Sequence, residues 1–238
     1  MNYGFYYSIL TVDQQVAYKA ICCAVKQFLE EVKISSLPVN ELRKVCMAIT
    51  YDHPELFYWT PSLGAYKDSK LALKYRFSKE EASCLIQKFR EKREEIILEC
   101  AQEANSMEEL LAKVYHYLAK NVVYAADELK EQTSNSWIYD MEGPFLKQRG
   151  VCLGIAQTWD YICQYLEVPH ILVTGEAKLG GVTMKHAWNL VQLNGKYRHV
   201  DVTSQIYESE SKDYSYFLLQ DWELNERKWS EDTYPAAV

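Results

Sequence analysis

The sequence predicts an α+β fold: a mostly helical N-terminal region, then a core of a cysteine-bearing helix followed by an antiparallel hairpin. Three observations carry this. Helix-start signals recur through the first hundred residues, the apolar period changes from helical to alternating after Cys152, and Asn194-Gly195 separates two alternating runs. The 238 residues are 48% hydrophobic and 25% charged, enough for one large domain or two small ones. A division near 105 is expected, with residues 1–105 helical and 106–238 forming the α+β core.

In chain order, Thr11 and Gln14 form a capping box ahead of Val16, Ala20, Cys23 and Ala24, which are spaced for one helix face. Pro38 opens a second helix running to about Tyr51, and His53-Pro54 ends it, since a residue before proline avoids the helical region. A loop with Pro61 and Gly64 follows. Leu71 to Phe77 alternates apolar with polar and reads as a strand. Ser78 with Glu81 caps a long helix to about Ala104, whose mixed charges at Lys88, Arg90, Glu94 and Glu95 read as a solvated face. Ser106 with Glu109 opens the next, with Leu110, Leu111, Val114, Leu118 and Val122 as its apolar positions.

Residues 127–149 have no period, and a loop that long inside a domain is often functional. Cys152 to Leu166 is helical, with Ile155, Trp159, Ile162 and Leu166 on one face. His170 to Ala177 reads as a strand, Gly180-Gly181 as a turn, and Val182 to Leu193 as a second strand. Asn194-Gly195 makes a two-residue hairpin loop into a partner strand from Lys196 to Thr203.

Several function classes fall away on composition. The net charge is −7 and no Lys/Arg stripe occurs, so nucleic acid is not an expected partner. No stretch approaches ~20 apolar residues, so no membrane span is expected. The seven cysteines are scattered, odd in number and without a Cys-x-x-Cys pair, which argues against a zinc ribbon or a redox dithiol. Free thiols and the lack of a basic-then-apolar leader point to a reducing, cytoplasmic setting. No cofactor or metal is expected.

Cys152 is placed where a loop meets a helix, in Gln148-Arg149-Gly150-Val151-Cys152-Leu153-Gly154. The positive end of the helix dipole and its unpaired N–H groups favour thiolate there. Gly154 would leave space beside the sulfur for a substrate. On its own, a cysteine at any one position is more often a small buried residue. In the hairpin, Leu193 faces Lys196, so His186 would face Thr203 and Trp188 would face Asp201. His186 and Asp201 then become diagonal neighbours on one face, about 7–8 Å apart. Aspartate is a poor strand former, and function is one reason to find it there. The hairpin does not itself bring Cys152 near; that requires the cysteine helix to pack across the sheet.

Five blocks, Gly150-Val151-Cys152-Leu153-Gly154-Ile155-Ala156, Ile171 to Ala177, His186-Ala187-Trp188-Asn189-Leu190-Val191, Asn194-Gly195-Lys196-Tyr197 and His199-Val200-Asp201-Val202-Thr203, together resemble the transglutaminase-like superfamily of bacterial type. The resemblance covers about residues 107–205. It implies a papain-like core with Cys152 as nucleophile, His186 as base and Asp201 as orienter. The chain departs from the family at Tyr197 and Arg198, where an aromatic usually precedes the valine–aspartate block. It departs again at Val202-Thr203-Ser204-Gln205, where many members continue Thr-Trp-Asp.

The implied chemistry is acyl transfer from a peptide or protein amide through a cysteine thioester, ending in hydrolysis or transamidation. The Cys152 N–H would supply one oxyanion contact. Gln148, Trp137 and Tyr139 are candidates for the second, with Trp188 a candidate substrate contact. His199, His116, His170 and Cys163 read as structural. A non-catalytic peptide- or protein-binding module on the same fold is the alternative from another class, and assembly through the helical N-terminal region is a third.

Overall fold

The computed structural model describes residues 4–61, 66–67, 69–130, 136–179, 181–207 and 215–238, with the side chains of Tyr66, Lys67 and Lys130 left out. The expected turns at Gly64 and Gly180 lie outside the described residues. The chain divides into two compact units, Met1–Ile86 and Gln87–Val238. The division falls inside the helix α4 (Lys79–Ala101), whereas the sequence suggests one at 105, where the helix has ended. A continuous helix gives no compositional sign of a boundary within it.

The first unit holds α1 (Phe5–Ser8), α2 (Val12–Lys26), β1 (Glu31–Lys33), α3 (Val39–Asp52), β2 (Trp59–Thr60), β3 (Tyr66–Lys67), β4 (Lys70–Ala72) and β5 (Lys74–Tyr75). Thr11 and Gln14 form the full capping box. The buried stripe of α2 is Gln14, Ala17, Tyr18, Ile21, Cys22, Ala24 and Val25, not the expected face: Val16 and Cys23 are exposed. Tyr18 and Cys22 complete an i, i+3, i+4 pattern that outweighs the narrower stripe through Val16. Pro38 precedes α3 and His53 ends it, as expected. The strand expected at Leu71 to Phe77 is broken after Ala72 into β4 and β5, because β4 pairs with β1 and β3 while β5 pairs with β2.

In the second unit, α5 (Met107–Asn121) is capped by Ser106, whose Oγ accepts from Glu109 N–H at 3.1 Å. It buries Leu111, Val114, Tyr115 and Leu118. Next come β6 (Val123–Tyr124), α6 (Ala126–Lys130), a short helical turn at Ser136–Tyr139 and a wide turn at Gly143–Lys147. The described part of the aperiodic segment is thus built from several short helical turns. Then follow β7 (Arg149–Gly150), α7 (Cys152–Tyr165), β8 (His170–Leu179), β9 (Val182–Leu193), β10 (Lys196–Val200), α8 (Val202–Tyr207), β11 (Phe217–Leu219) and β12 (Arg227–Trp229).

Five strands form an antiparallel sheet in the order β11-β10-β9-β8-β12. Asn194 and Gly195 both take positive φ, 51° and 76°, which a two-residue hairpin turn requires. Lys196 pairs with Leu193 and Val200 with Asn189, the register the turn predicts. The expected pairing of Trp188 with Asp201 and of His186 with Thr203 does not occur, because β10 stops at Val200 and the chain turns into α8. Between the His199–Leu219 and Val200–Phe217 pairs the β10–β11 register shifts, and the extra residue, Leu218, takes a left-handed φ of 57°; beyond this bulge Asp201 N–H still donates to Tyr216 O at 2.9 Å.

The helix α7 is buried on nearly every side from Gly154 to Cys163. Asn189 ties it to the sheet: its amide donates to Ala156 O at 3.1 Å and to Asp160 Oδ1 at 2.8 Å. This fixes the cysteine helix against β9 by two polar contacts inside an apolar layer, where leaving a donor unpaired costs about 1–3 kcal/mol.

Candidate active site

Cys152 is the first residue of α7, preceded by Val151, which has no side chain able to cap the helix. Its position is fixed by backbone contacts: Val151 N–H donates to Ile138 O at 3.0 Å, and Tyr124 and Gly150 pair in the parallel β6–β7 bridge. The thiol is half-buried.

The role expected of Gly154 is corrected by the packing. A Cβ there would lie 2.6 Å from Ile138 O and 2.8 Å from Asp140 O, so the missing side chain admits neighbouring backbone rather than a substrate. Backbone atoms give little. Gly154→Ala is therefore expected to lower unfolding free energy by about 2 kcal/mol, the overpacking cost exceeding the usual gain of alanine over glycine in a helix. Urea unfolding of the variant checks this, and equal midpoints would contradict it.

His186, on β9, is 3% exposed and lies past the end of β10, so its flank is lined by the turn into α8 instead of by a strand. Its Nε2 contacts Asp201 Oδ2 at 2.8 Å. Its Nδ1 is buried with no nitrogen or oxygen partner. Cys152 is its remaining hydrogen-bond and charge partner, so Nδ1 is the nitrogen left to serve the sulfur. Burial alone would lower the imidazole pKa; the Asp201 carboxylate and Cys152 outweigh it and raise it to about 9.

Asp201 caps α8. Its Oδ1 accepts from Ser204 N–H at 2.9 Å and its Oδ2 from Ser204 Oγ at 2.5 Å. A carboxylate is a preferred residue at a helix start, which explains an aspartate at the end of a good strand. Burial would push this carboxyl up, but His186, Arg227 and Ser204 hold it well below the usual carboxylate range.

The support around His186 is aromatic. Trp188 stacks on the imidazole at 5.6 Å between centroids, and Trp229 meets Trp188 edge-on at 6.0 Å. Trp188 Nε1–H donates to His199 Nδ1 at 2.9 Å. An indole nitrogen can only donate, so His199 Nδ1 accepts and its proton is on Nε2, directed at Asp221 Oδ1 at 2.8 Å. Burial lowers the His199 pKa.

A family model described as the transglutaminase-like superfamily matches residues 94–202. That segment, which holds Cys152, His186 and Asp201, is similar to the transglutaminase-like superfamily. No curated protein matches the chain. Solved structures similar to it include one described as a TGase, 17% identical at a TM-score of 0.45, covering 60% of this chain and 42% of that one. Another is an arylamine N-acetyltransferase from Bacillus cereus, described with a Cys-His-Glu catalytic triad. It is 14% identical at a TM-score of 0.37 and covers 48% of each chain. The chain spans less than half the length of either.

Within the matched segment, the structure brings Cys152, His186 and Asp201 together and distributes the other sequence candidates differently. Trp188 is 1% exposed beneath the imidazole, a support rather than a groove residue. Trp137 packs on Ala125, Ile138 and Val151, with Lys147 Nζ 5.0 Å over its ring. Gln148 is exposed and takes a left-handed φ of 54° at the end of the wide turn. Tyr139 is 45% exposed and lies close enough to Tyr124 to act on its phenol.

Sequence reading missed Tyr124 and Tyr207. Their rings meet at 4.7 Å, and burial together with Cys152 pushes both phenols up. It also missed Arg227, whose Nε and Nη2 reach Asp201 Oδ2 at 3.3 and 3.2 Å. Tyr124 had a signal, standing just after a helix that ends near the nucleophile loop; Arg227 had none.

Proposed function

We propose that this chain is a cysteine-dependent acyl-transfer enzyme acting on a carboxamide or peptide bond of a peptide or protein substrate. The observation that carries it is the free Nδ1 face of a buried, Asp201-bound imidazole directed at Cys152. In the reaction, the Cys152 proton passes to His186 Nδ1 and the sulfur attacks the carbonyl carbon. The resulting oxyanion takes the backbone N–H of Cys152 at the open end of α7 and a second donor, for which Tyr124 and Tyr207, the phenols that Cys152 acts on, are candidates. The tetrahedral adduct collapses, the C–N bond breaks, and the departing amine leaves with the proton from Nδ1. Water or an amine, deprotonated by the same nitrogen, then attacks the thioester and releases Cys152. Asp201 keeps the proton of the ring on Nε2, leaving Nδ1 for the sulfur. The seven free cysteines favour a reducing compartment such as the cytoplasm as its setting.

Iodoacetamide at mildly acidic pH is the test. Cys152 is expected to alkylate at least about tenfold faster than the other six thiols, because the His186 imidazole beside it can take its proton. Uniform slow labelling would instead favour a binding module on the same fold. A peptide library with an amine probe, run on the labelled and unlabelled chain, then separates hydrolysis from amine transfer.

A further inference from the structure

We propose that Arg227 is a positioning residue of this site, holding Asp201 in place as the carboxylate that orients His186; the inference rests on the acyl-transfer reading above. Arg227 lies on β12, outside the segment matched by the family model. Its side chain is 2% exposed and Asp201 is fully buried. Nε and Nη2 converge on one oxygen, Oδ2, the same oxygen that takes His186 Nε2, and Nη2 also donates to Ser204 Oγ.

The strand register explains how a residue on the edge strand gets there. Arg227 pairs with Ala177 and Ala177 with Met184; Trp229 pairs with Gly175 and Gly175 with His186. Directly opposed residues share a face, so Arg227 and His186 lie on one side of the sheet. Between them β8 presents only Gly175 and Ala177. A Cβ at Gly175 would touch Lys228 O and lie 2.9 Å from Trp188 Cη2. The missing side chain at Gly175 thus admits the β12 backbone and the Trp188 indole on the face that Arg227 and His186 share.

The electrostatic consequence follows from counting charges. Imidazolium, carboxylate and guanidinium sum to +1, which a Cys152 thiolate brings to zero. Without Arg227 the His186–Asp201 pair alone is neutral, and Asp201 grips the imidazolium proton harder. Arg227 therefore keeps the proton on His186 releasable to the departing amine. The other groups facing this cluster are Tyr115 of α5 and His199 of β10, which feel Asp201, and Tyr124 of β6 and Tyr207 of α8, which feel Cys152. Arg227 is the one cation among them that no pH in the working range removes.

The rate of Cys152 alkylation by iodoacetamide, followed against pH, tests this in the full chain. In Arg227→Met and the more polar Arg227→Gln, the alkaline limb set by His186 is expected to move up by about one pH unit, since a nearby buried cation has gone. Arg227→Lys keeps the charge, so its limb is expected to stay within about 0.3 unit of the parent's. A limb that stays put or moves down in the neutral variants overturns the inference, as does a lysine variant shifted as far as they are. If neither neutral variant folds, the lysine limb alone decides, a displaced one overturning the proposal. A parent chain with no pH window at Cys152 defeats the acyl-transfer reading itself; a parent with the window and variants without the shift defeats only the role of Arg227.

Discussion

Cys152→Ala is expected to abolish acyl transfer, lowering turnover of any responsive peptide by at least about 10³-fold while leaving the fold intact. The thiol is half-buried at a helix start, and alanine is a good helix residue, so the stability change should stay within about 1 kcal/mol. Thiols buried elsewhere are poor substitutes. Cys22, Cys46 and Cys163 are buried, and burial pushes the first two thiols up to about 12 and Cys163 well above its ordinary value. Mass spectrometry of trapped acyl-enzyme gives the direct check: the adduct should reside on the peptide containing Cys152 and vanish in the variant. Turnover surviving the substitution would refute the proposed chemistry.

Asp201→Asn is expected to be the most damaging single change to both stability and pH response. Asparagine preserves the shape but leaves the Arg227 guanidinium buried against a neutral amide, a loss of about 3 kcal/mol or more. For a unit of this size that corresponds to a melting temperature lower by roughly 10 °C. The pH dependence should change as well. In the parent, the His186 pKa is raised from 6.5 to about 9 on folding. A raised folded value means that the native state holds the proton more tightly, so this contribution is full below about 6.5 and is lost as pH rises through about 9. Asp201 works in the opposite direction: its depressed value gives stability that is present above the ordinary carboxylate range and lost only as pH falls toward the folded value. With asparagine at 201 the acid-side loss disappears. Burial, the opposing influence on His186, then loses its main counterweight, and stability should no longer decline between about pH 6.5 and 9. Thermal melts of both chains across that window decide it; parallel slopes would show that Asp201 is not what holds the His186 proton.

The hairpin was legible in the sequence because its turn is a local device. Asn194-Gly195 sets positive φ at two positions, and from that the register follows residue by residue as far as Val200 opposite Asn189. What failed was extrapolation beyond the strand's end. An aspartate in an alternating run reads as a misplaced strand residue, but Asp201 with Ser204 three positions on is a helix start, and a helix of only six residues offers too little period to be seen. The His186–Asp201 contact is therefore made around a corner and not along a diagonal. Gly154 misled for a related reason: its packing partners, Ile138 and Asp140, come from the aperiodic segment whose path no pattern specified. Arg227 was beyond reach altogether, since its place depends on a three-residue strand joining the far edge of the sheet.

One indole separates two histidines with opposite habits. Trp188 lies face to face with His186 and hands its only proton to His199. The first ring is driven toward carrying charge, the second away from it. The neighbourhood thus holds one imidazole biased toward taking up a proton and one whose tautomer is fixed by the indole it accepts from. The histidine two residues from Asp201 is thereby committed to the indole and to Asp221.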